Sequence, residues 1–248
     1  MGQEAYNFID FLADTKQTYW QILPLMETSF GNSPYSATSS FAGNPFFIDL
    51  DLLKDDGLLL ESDYVNIDFG GDERRVNYYK LYDNRFKVLK IACDNYRKKH
   101  PIAYAKFKLD YDYFLDSFAT FHAIKDTFGG ASFDNWDAPL KLHDKDAINE
   151  FKNSHKDEIE FYKTLQCLFY NQWFRLKKYA NDHGIQIIGD TPIYSAYDSA
   201  EVWSMPENFY LNEDRTPIEV SGCPPDGFSA TGQFWGNPLY NYDYIKKN

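Results

Sequence analysis

Glycine and proline, the residues that interrupt regular secondary structure most strongly, are placed very unevenly along this 248-residue chain. Only four of the 25 (Pro101, Gly129, Gly130 and Pro139) fall between residues 72 and 182, whereas twelve fall between 184 and 248. That distribution predicts a helical middle between loop-rich flanks, and a division into segments 1–71, 72–182 and 183–248. Three helices are expected in the middle: roughly 76–99, closed by Pro101; 103–128, closed by Gly129-Gly130; and 145–182. The last carries Ile159, Tyr162, Leu165, Phe169, Trp173 and Leu176 at three- and four-residue steps, an apolar stripe suited to core packing. Arg175, Lys177 and Lys178, then Gly184, mark its end, and His183 is expected to serve the helix C-terminus.

The flanks carry the strand signals. Residues 4–17 have Tyr6, Ile9 and Ala13 at helical spacing, and the apolar run Tyr19–Leu25 then reads as a short buried parallel strand. A long loop, Met26 to Asn44, follows. After the Gly184 turn, Ile185-Gln186-Ile187-Ile188-Gly189 reads as a second buried strand ending in Asp190. Helix, glycine turn, apolar strand and polar residue form one unit of a parallel α/β protein. Polar stretches follow both strands, Thr28 to Tyr35 and Asp190 to Asp198, and in α/β folds sites form at the carboxyl ends of strands.

The stretch Gly222 to Tyr240, GCPPDGFSATGQFWGNPLY, has the composition of a sugar-handling loop. Phe228, Phe234, Trp235 and Tyr240 offer flat rings for the apolar faces of pyranoses. The Gln233 and Asn237 amides, the Ser229 and Thr231 hydroxyls and the single carboxylate Asp226 can satisfy sugar hydroxyls. Four glycines and three prolines make regular helix or strand unexpected here. Asp190 at the strand end is the foremost single candidate, with a turn or helix cap as the ordinary alternative. Trp235 and Asn237 pair a stacking face with a planar amide, although Trp235 could equally plug the core beneath the loop. Ser33 and Tyr35, in GNSPY, could bond a ligand or simply close a turn.

Several function classes are disfavoured. A formal charge of −12 argues against nucleic acid or an anionic membrane as partner. Cys93, Cys167 and Cys223 are far apart and form neither a disulfide framework nor a zinc signature, which fits a reducing cytoplasm. The histidines His100, His122, His143, His155 and His183 show no metal-ligand spacing, and no phosphate-binding glycine motif or GxSxG is present. No metal or cofactor is implied. No apolar run approaches the ~18 residues needed to span a bilayer.

At four blocks, YWQILPL, GNSPYSATSSFAGNPFFIDL, GDTPIYSAYDSAEVW and PPDGFSATGQFWGNPLYNYD, the chain resembles the amylomaltase family, the 4-α-glucanotransferases. The blocks stand in the family's order, with a helical insert between the first pair and the second. The resemblance implies part of a (β/α)8 TIM barrel with a large helical insertion between strands 2 and 3. It also implies retaining transfer of α-1,4-glucan segments between maltooligosaccharides in the cytoplasm, without metal or cofactor. Carried over by position, Ser33, Tyr35, Asp190, Asp226, Trp235, Asn237 and Pro238 match residues lining the family's glucan cleft. Gly227 stands where the family usually has an aromatic residue, which puts one contact of that loop in doubt, and Cys223 stands where an aliphatic is usual.

Against that family the chain is expected to lack the first barrel strand and everything after the third. The nucleophilic aspartate and acid/base glutamate that a retaining mechanism needs would then lie beyond Asn248, leaving no catalytic residue here. The expectation is a cleft-forming part of a 4-α-glucanotransferase, inactive alone and completed by the missing C-terminal part of the same enzyme. The alternative is a non-catalytic glucan-binding or regulatory module.

Overall fold

The computed structural model describes every residue except Ser29, Glu73 and Asn248, together with the side chain of Phe30. Helix boundaries follow capping chemistry. α1 (Gln3–Asp14) and β1 (Tyr19–Gln21) precede α2 (Leu50–Asp55), where Asp49 accepts from the Leu52 N–H at the N-terminus. α3 (Tyr78–Lys99) starts at an Asn77 cap and stops at His100, because Pro101 opens α4 (Pro101–Asp110).

The helix expected over 103–128 is instead two pieces, α4 and α5 (Asp112–Thr127), broken at Tyr111. Tyr111 leaves helical geometry (φ −117°, ψ 17°) and packs between the rings of Phe107 and Tyr170, at 4.5 and 4.7 Å between centroids. The helix expected over 145–182 is also divided. After α6 (Ala138–Lys141) come α7 (Lys145–Ser154) and α8 (Lys156–Asp182), separated at His155, whose ring stacks on Phe151 at 4.0 Å. Neither break contains glycine or proline; ring packing compensates for the lost helical bond.

β2 (Gln186–Ile188) follows α8 after Gly184, and His183 Nδ1 lies 2.8 Å from the Tyr179 carbonyl at that helix end. α9 (Ala200–Ser204), β3 (Val220–Cys223), β4 (Gln233–Pro238) and α10 (Tyr242–Ile245) complete the chain. Among the described residues no helix is long and apolar enough to cross a membrane.

The chain divides into two compact units. The first comprises Met1–Ile22, Gly43–Asp112 and Phe161–Asp190. In it β1 pairs in parallel with β2, Trp20 opposite Ile187, as the two strand signals predict. Both strands were expected to be buried; instead Tyr19 and Ile188 are exposed, because this sheet has only two strands among the described residues. Its inner side rests on Ile9 and Leu12 of α1 and Leu176 and Ala180 of α8.

Two glutamines of α8 hold the irregular segment that follows Ala42. Gln166 accepts from the Gly43 N–H (2.7 Å) and donates to the Gly43 carbonyl (3.0 Å). Gln172 repeats this with Asp49, at 2.7 and 3.0 Å. Each amide thus gives a lone backbone residue the pair of bonds a neighbouring strand would give. Both glutamines are buried, and a Cβ at Gly43 would come within 2.1 Å of the Phe169 ring, so only glycine fits there.

The second unit comprises Leu23–Ala42, Tyr113–Glu160 and Thr191–Asn248. Phe121, Trp136 and Trp203 form a ring cluster at 5.2–5.8 Å, and the Trp203 indole donates to the Leu140 carbonyl. Lys125 pairs with Asp198, which also accepts from the Phe133 N–H. Glu201 of α9 lies buried beneath the 37–42 segment. Its Oε1 accepts from Ser39 Oγ (2.5 Å) and the Ser40 N–H (3.1 Å), while Oε2 is buried without a partner. Burial pushes this carboxyl above its usual range despite those two bonds.

Two outcomes follow from these contacts. Gln172→Ala leaves the Asp49 N–H without its partner and the Asp49 carbonyl with only the Leu53 N–H, and should cost about 1–3 kcal/mol in denaturant unfolding; an unchanged midpoint would contradict the clamp. Glu201 has its folded pKa above the unfolded one, so its favourable contribution is present at low pH and lost as pH rises through the folded value. Glu201→Gln should therefore gain melting temperature relative to the parent as pH rises from below the ordinary carboxylate range toward neutral. A difference that is flat or shrinks over that range would refute the assignment.

Candidate functional site

The first candidate loop is closed at its neck. Thr28 and Ala37 form an antiparallel bridge, and the Glu27 N–H donates to the Ala42 carbonyl at 3.3 Å. Beyond that neck Gly31 and Asn32 adopt left-handed geometry (φ 76° and 54°), which turns the chain back toward Ser33. Ser33 Oγ accepts from the Tyr35 N–H (3.3 Å) and the Ser33 carbonyl from the Ser36 N–H (3.2 Å). The Ser33 hydroxyl therefore does close a turn, and it holds Tyr35 with 46 % of its surface exposed. Ser29 of this loop lies outside the described residues.

The aromatic stretch 222–240 departs from its expected irregularity. β3 and β4 pair antiparallel, Gly222 opposite Phe234 and Val220 opposite Pro238, with a register shift between Val220 and Gly222. Glycines that discourage strands in isolation here permit close backbone approach: a Cβ at Gly232, which has φ 73°, would lie 2.5 Å from the Cys223 carbonyl oxygen. Residues 224–232 form the connecting loop. Asp226 Oδ1 accepts from the Phe228 and Ser229 N–H groups, both at 2.8 Å, so this oxygen organises the turn.

The hairpin displays its rings. Phe228 is 99 % exposed, Phe234 82 % and Trp235 47 %, so Trp235 is not a core plug. The Trp235 indole donates to Gln233 Oε1 at 3.0 Å, which fixes the ring plane, and Tyr194 lies 6.4 Å away. Asn237 is partly buried and Pro238 buried at the hairpin base.

A hydroxyl chain ties hairpin to loop. Ser40 Oγ lies 3.1 Å from Ser195 Oγ, which lies 3.2 Å from Tyr240 Oη, and Tyr240 stacks on Tyr194 at 6.3 Å and 13°. Ser40, Ser195 and Tyr240, with Phe41, Glu201 and Phe209, line a cavity of about 330 Å³. Ser40, Tyr194, Ser195 and Glu201 escaped sequence reasoning. Tyr194 and Ser195 belong to the polar stretch after β2, Ser40 to the long loop after β1 and Glu201 to α9, and no spacing sets them apart from their neighbours.

Six of the seven expected site residues, Ser33, Tyr35, Asp226, Trp235, Asn237 and Pro238, thus belong to the second unit, on one loop and one hairpin. Asp190 belongs to the first, two residues past the end of β2 and half-buried. Among the described residues no group of three or more His, Cys, Asp or Glu side chains could hold a metal ion, and Cys93 and Cys167 are buried free thiols. Exposed flat rings beside hydroxyls and amides are suited to binding a polyhydroxylated ring compound, with stacking on one face and hydrogen bonds at the edge.

A family model described as 4-alpha-glucanotransferase matches residues 1–248. A 4-alpha-glucanotransferase of Clostridium butyricum is 46% identical over 99% of this chain and 51% of its own length; one from Thermus thermophilus is 42% identical over 100% and 49%. Among solved structures, the amylomaltase of Streptococcus agalactiae in complex with acarbose superposes with a TM-score of 0.95 at 45% identity, covering 99% of this chain and 50% of that one. The amylomaltase of Corynebacterium glutamicum, at 20% identity and TM-score 0.71, shares the fold. The chain spans about half the length of the curated relatives it matches. Matched along all of its residues by the family model, it belongs to the 4-alpha-glucanotransferase family.

Proposed function

We propose that this chain contributes glucan-binding surface to a cytoplasmic 4-α-glucanotransferase that transfers α-1,4-glucan segments between maltooligosaccharides with retention. In this reading β1 and β2 are neighbouring strands of a (β/α)8 barrel, and the helices between them are an insertion. Ser33, Tyr35, Asp190, Asp226, Trp235, Asn237 and Pro238 contact the glucan. The observation that carries the reading is the hairpin's display of Phe228, Phe234 and Trp235 with the Trp235 indole anchored by Gln233, on a chain of this family. Rings exposed together on one hairpin forgo a burial free energy that a ligand stacked on them would supply. The structure of the Streptococcus agalactiae relative in complex with acarbose supports this reading.

All seven assigned residues bind; none is assigned as nucleophile or acid/base. The 248 residues by themselves are therefore expected to bind glucan without turnover, and the part of the relatives' length that this chain does not match is the partner that would complete the chemistry. That same observation keeps a second reading in view, a glucan-binding or regulatory module with no catalytic role.

Incubation of the chain with maltotriose should release no glucose and form no longer oligosaccharide, whereas turnover would overturn the residue roles and direct mutation to Asp190 and Asp226. Adding a polypeptide that carries the remaining half of a relative should generate turnover under the enzyme reading and none under the module reading. In calorimetric titration with acarbose, Trp235→Ala should weaken binding by about tenfold through loss of stacking, and unchanged affinity would count against the site.

A further inference from the structure

Directly behind the Thr28–Ala37 bridge, three polar side chains meet in a largely buried pocket of the second unit. Glu27 Oε2 accepts from Thr38 Oγ1 at 3.0 Å and lies 3.1 Å from His122 Nε2, which is itself 3.2 Å from Thr38 Oγ1. Glu27 and Thr38 stand on the two sides of the loop neck; His122 comes from α5. The other charged groups around this cluster are Lys125, also on α5 and paired with Asp198, and Glu201 from α9. Burial by itself would lift the Glu27 carboxyl, yet His122, Thr38 and, more distantly, Lys125 outweigh it and hold the group below its ordinary value.

We propose that Glu27, Thr38 and His122 are positioning residues that lock the neck of the loop carrying Ser33 and Tyr35 and so preset the sugar-contacting geometry of that loop. Among the described residues the backbone bonds of the neck are few: the Thr28–Ala37 bridge and the bond from Glu27 to Ala42. A loop closed by so little would open readily if nothing else held it. The side-chain cluster adds a second rung across the neck, Glu27 to Thr38, and anchors that rung to a helix through His122. The ring is itself fixed, packed 4.5 Å from Phe118 and 5.6 Å from Phe121. Thr38 extends the anchor, since its carbonyl accepts from the Ala200 N–H at 2.8 Å, and Ser39 and Ser40 continue it to Glu201.

A catalytic role does not suit this cluster. Glu27 and His122 are spent on each other and on the chain's own neck rather than presented at the surface beside Tyr35. Their arrangement instead meets what a binding loop needs, a fixed conformation before ligand arrives, so that little ordering remains to be done on binding. The relevance to glucan rests on the proposed function; the clamp itself does not.

Hydrogen exchange read by mass spectrometry on the intact 248-residue chain tests the clamp without any sugar. In Glu27→Leu and in His122→Leu, peptides covering residues 27–42 should exchange about tenfold faster, while α7 and the β3–β4 hairpin keep their parent rates. The double variant should exchange no faster than the faster single one, because both remove the same coupled unit. If the leucine variants do not fold, Glu27→Gln and His122→Gln, which keep size and polarity, should still accelerate 27–42 alone. Parent-like exchange of 27–42, acceleration across the whole second unit, or additive effects in the double variant would each overturn the proposal. Acarbose titration of the same proteins separates the two readings: a parent chain that binds none refutes the proposed function and leaves the exchange data to decide the clamp. Where the parent binds, weakened binding in the Glu27 and His122 variants with the Trp235 surface intact supports the positioning role, and unchanged binding overturns it.

Discussion

Backbone groups outside helices and sheets must find partners, and most of what distinguishes this chain is how it finds them along residues 27–49. That stretch is almost free of regular structure, yet much of it is buried. In the first unit two glutamines of α8 supply paired amide bonds to Gly43 and Asp49. In the second, Glu201 receives Ser39 and Ser40, and Glu27 receives Thr38 beside His122. Buried side chains replace the strand neighbour that the segment lacks. Each such bond adds only about 1 kcal/mol net, but an unmade one costs more, so the bonds specify a conformation more than they add stability.

This mode of support explains how irregular loops can carry recognition. Tyr35 sits beyond a neck locked on both sides, and Trp235 sits on a hairpin whose base is tied through Tyr240 and Ser195 to Ser40. Rings held in this way can be exposed without being mobile. Stacking on a pyranose then loses little conformational entropy, which is the physical advantage of preformed sites over loops that order on contact. The buried carboxylate of Glu201, with one oxygen unpartnered, is the cost of that arrangement in the second unit.

Much of the architecture was legible in the residues. Helix, Gly184 turn and the run 185–189 led directly to the parallel pair of β1 and β2, because the periodicity and the C-cap are local signals. The breaks at Tyr111 and His155 were not legible: they arise from contacts of Tyr111 with Tyr170 and of His155 with Phe151, and no breaker residue announces them. The hairpin of β3 and β4 was not legible, because glycine usually weakens strands, whereas at Gly222 and Gly232 its missing Cβ is what lets the strands and their loop approach. At the site, Trp235 and Tyr35 announced themselves as aromatic residues in polar surroundings. Glu27 and His122 did not, since nothing local pairs a loop glutamate with a distant helix histidine.

The central claim is that the loop of Ser33 and Tyr35 and the hairpin of Asp226 to Pro238 are a preformed glucan surface. Titrating the isotope-labelled chain with maltoheptaose while recording backbone and indole amide resonances tests it most directly. The account predicts shifts at residues 33–35, at 226–238 and at the Trp235 indole, reached without broadening or reorganisation elsewhere in the second unit. An absence of shifts at saturating sugar, or shifts concentrated on residues remote from that loop and hairpin, would contradict it.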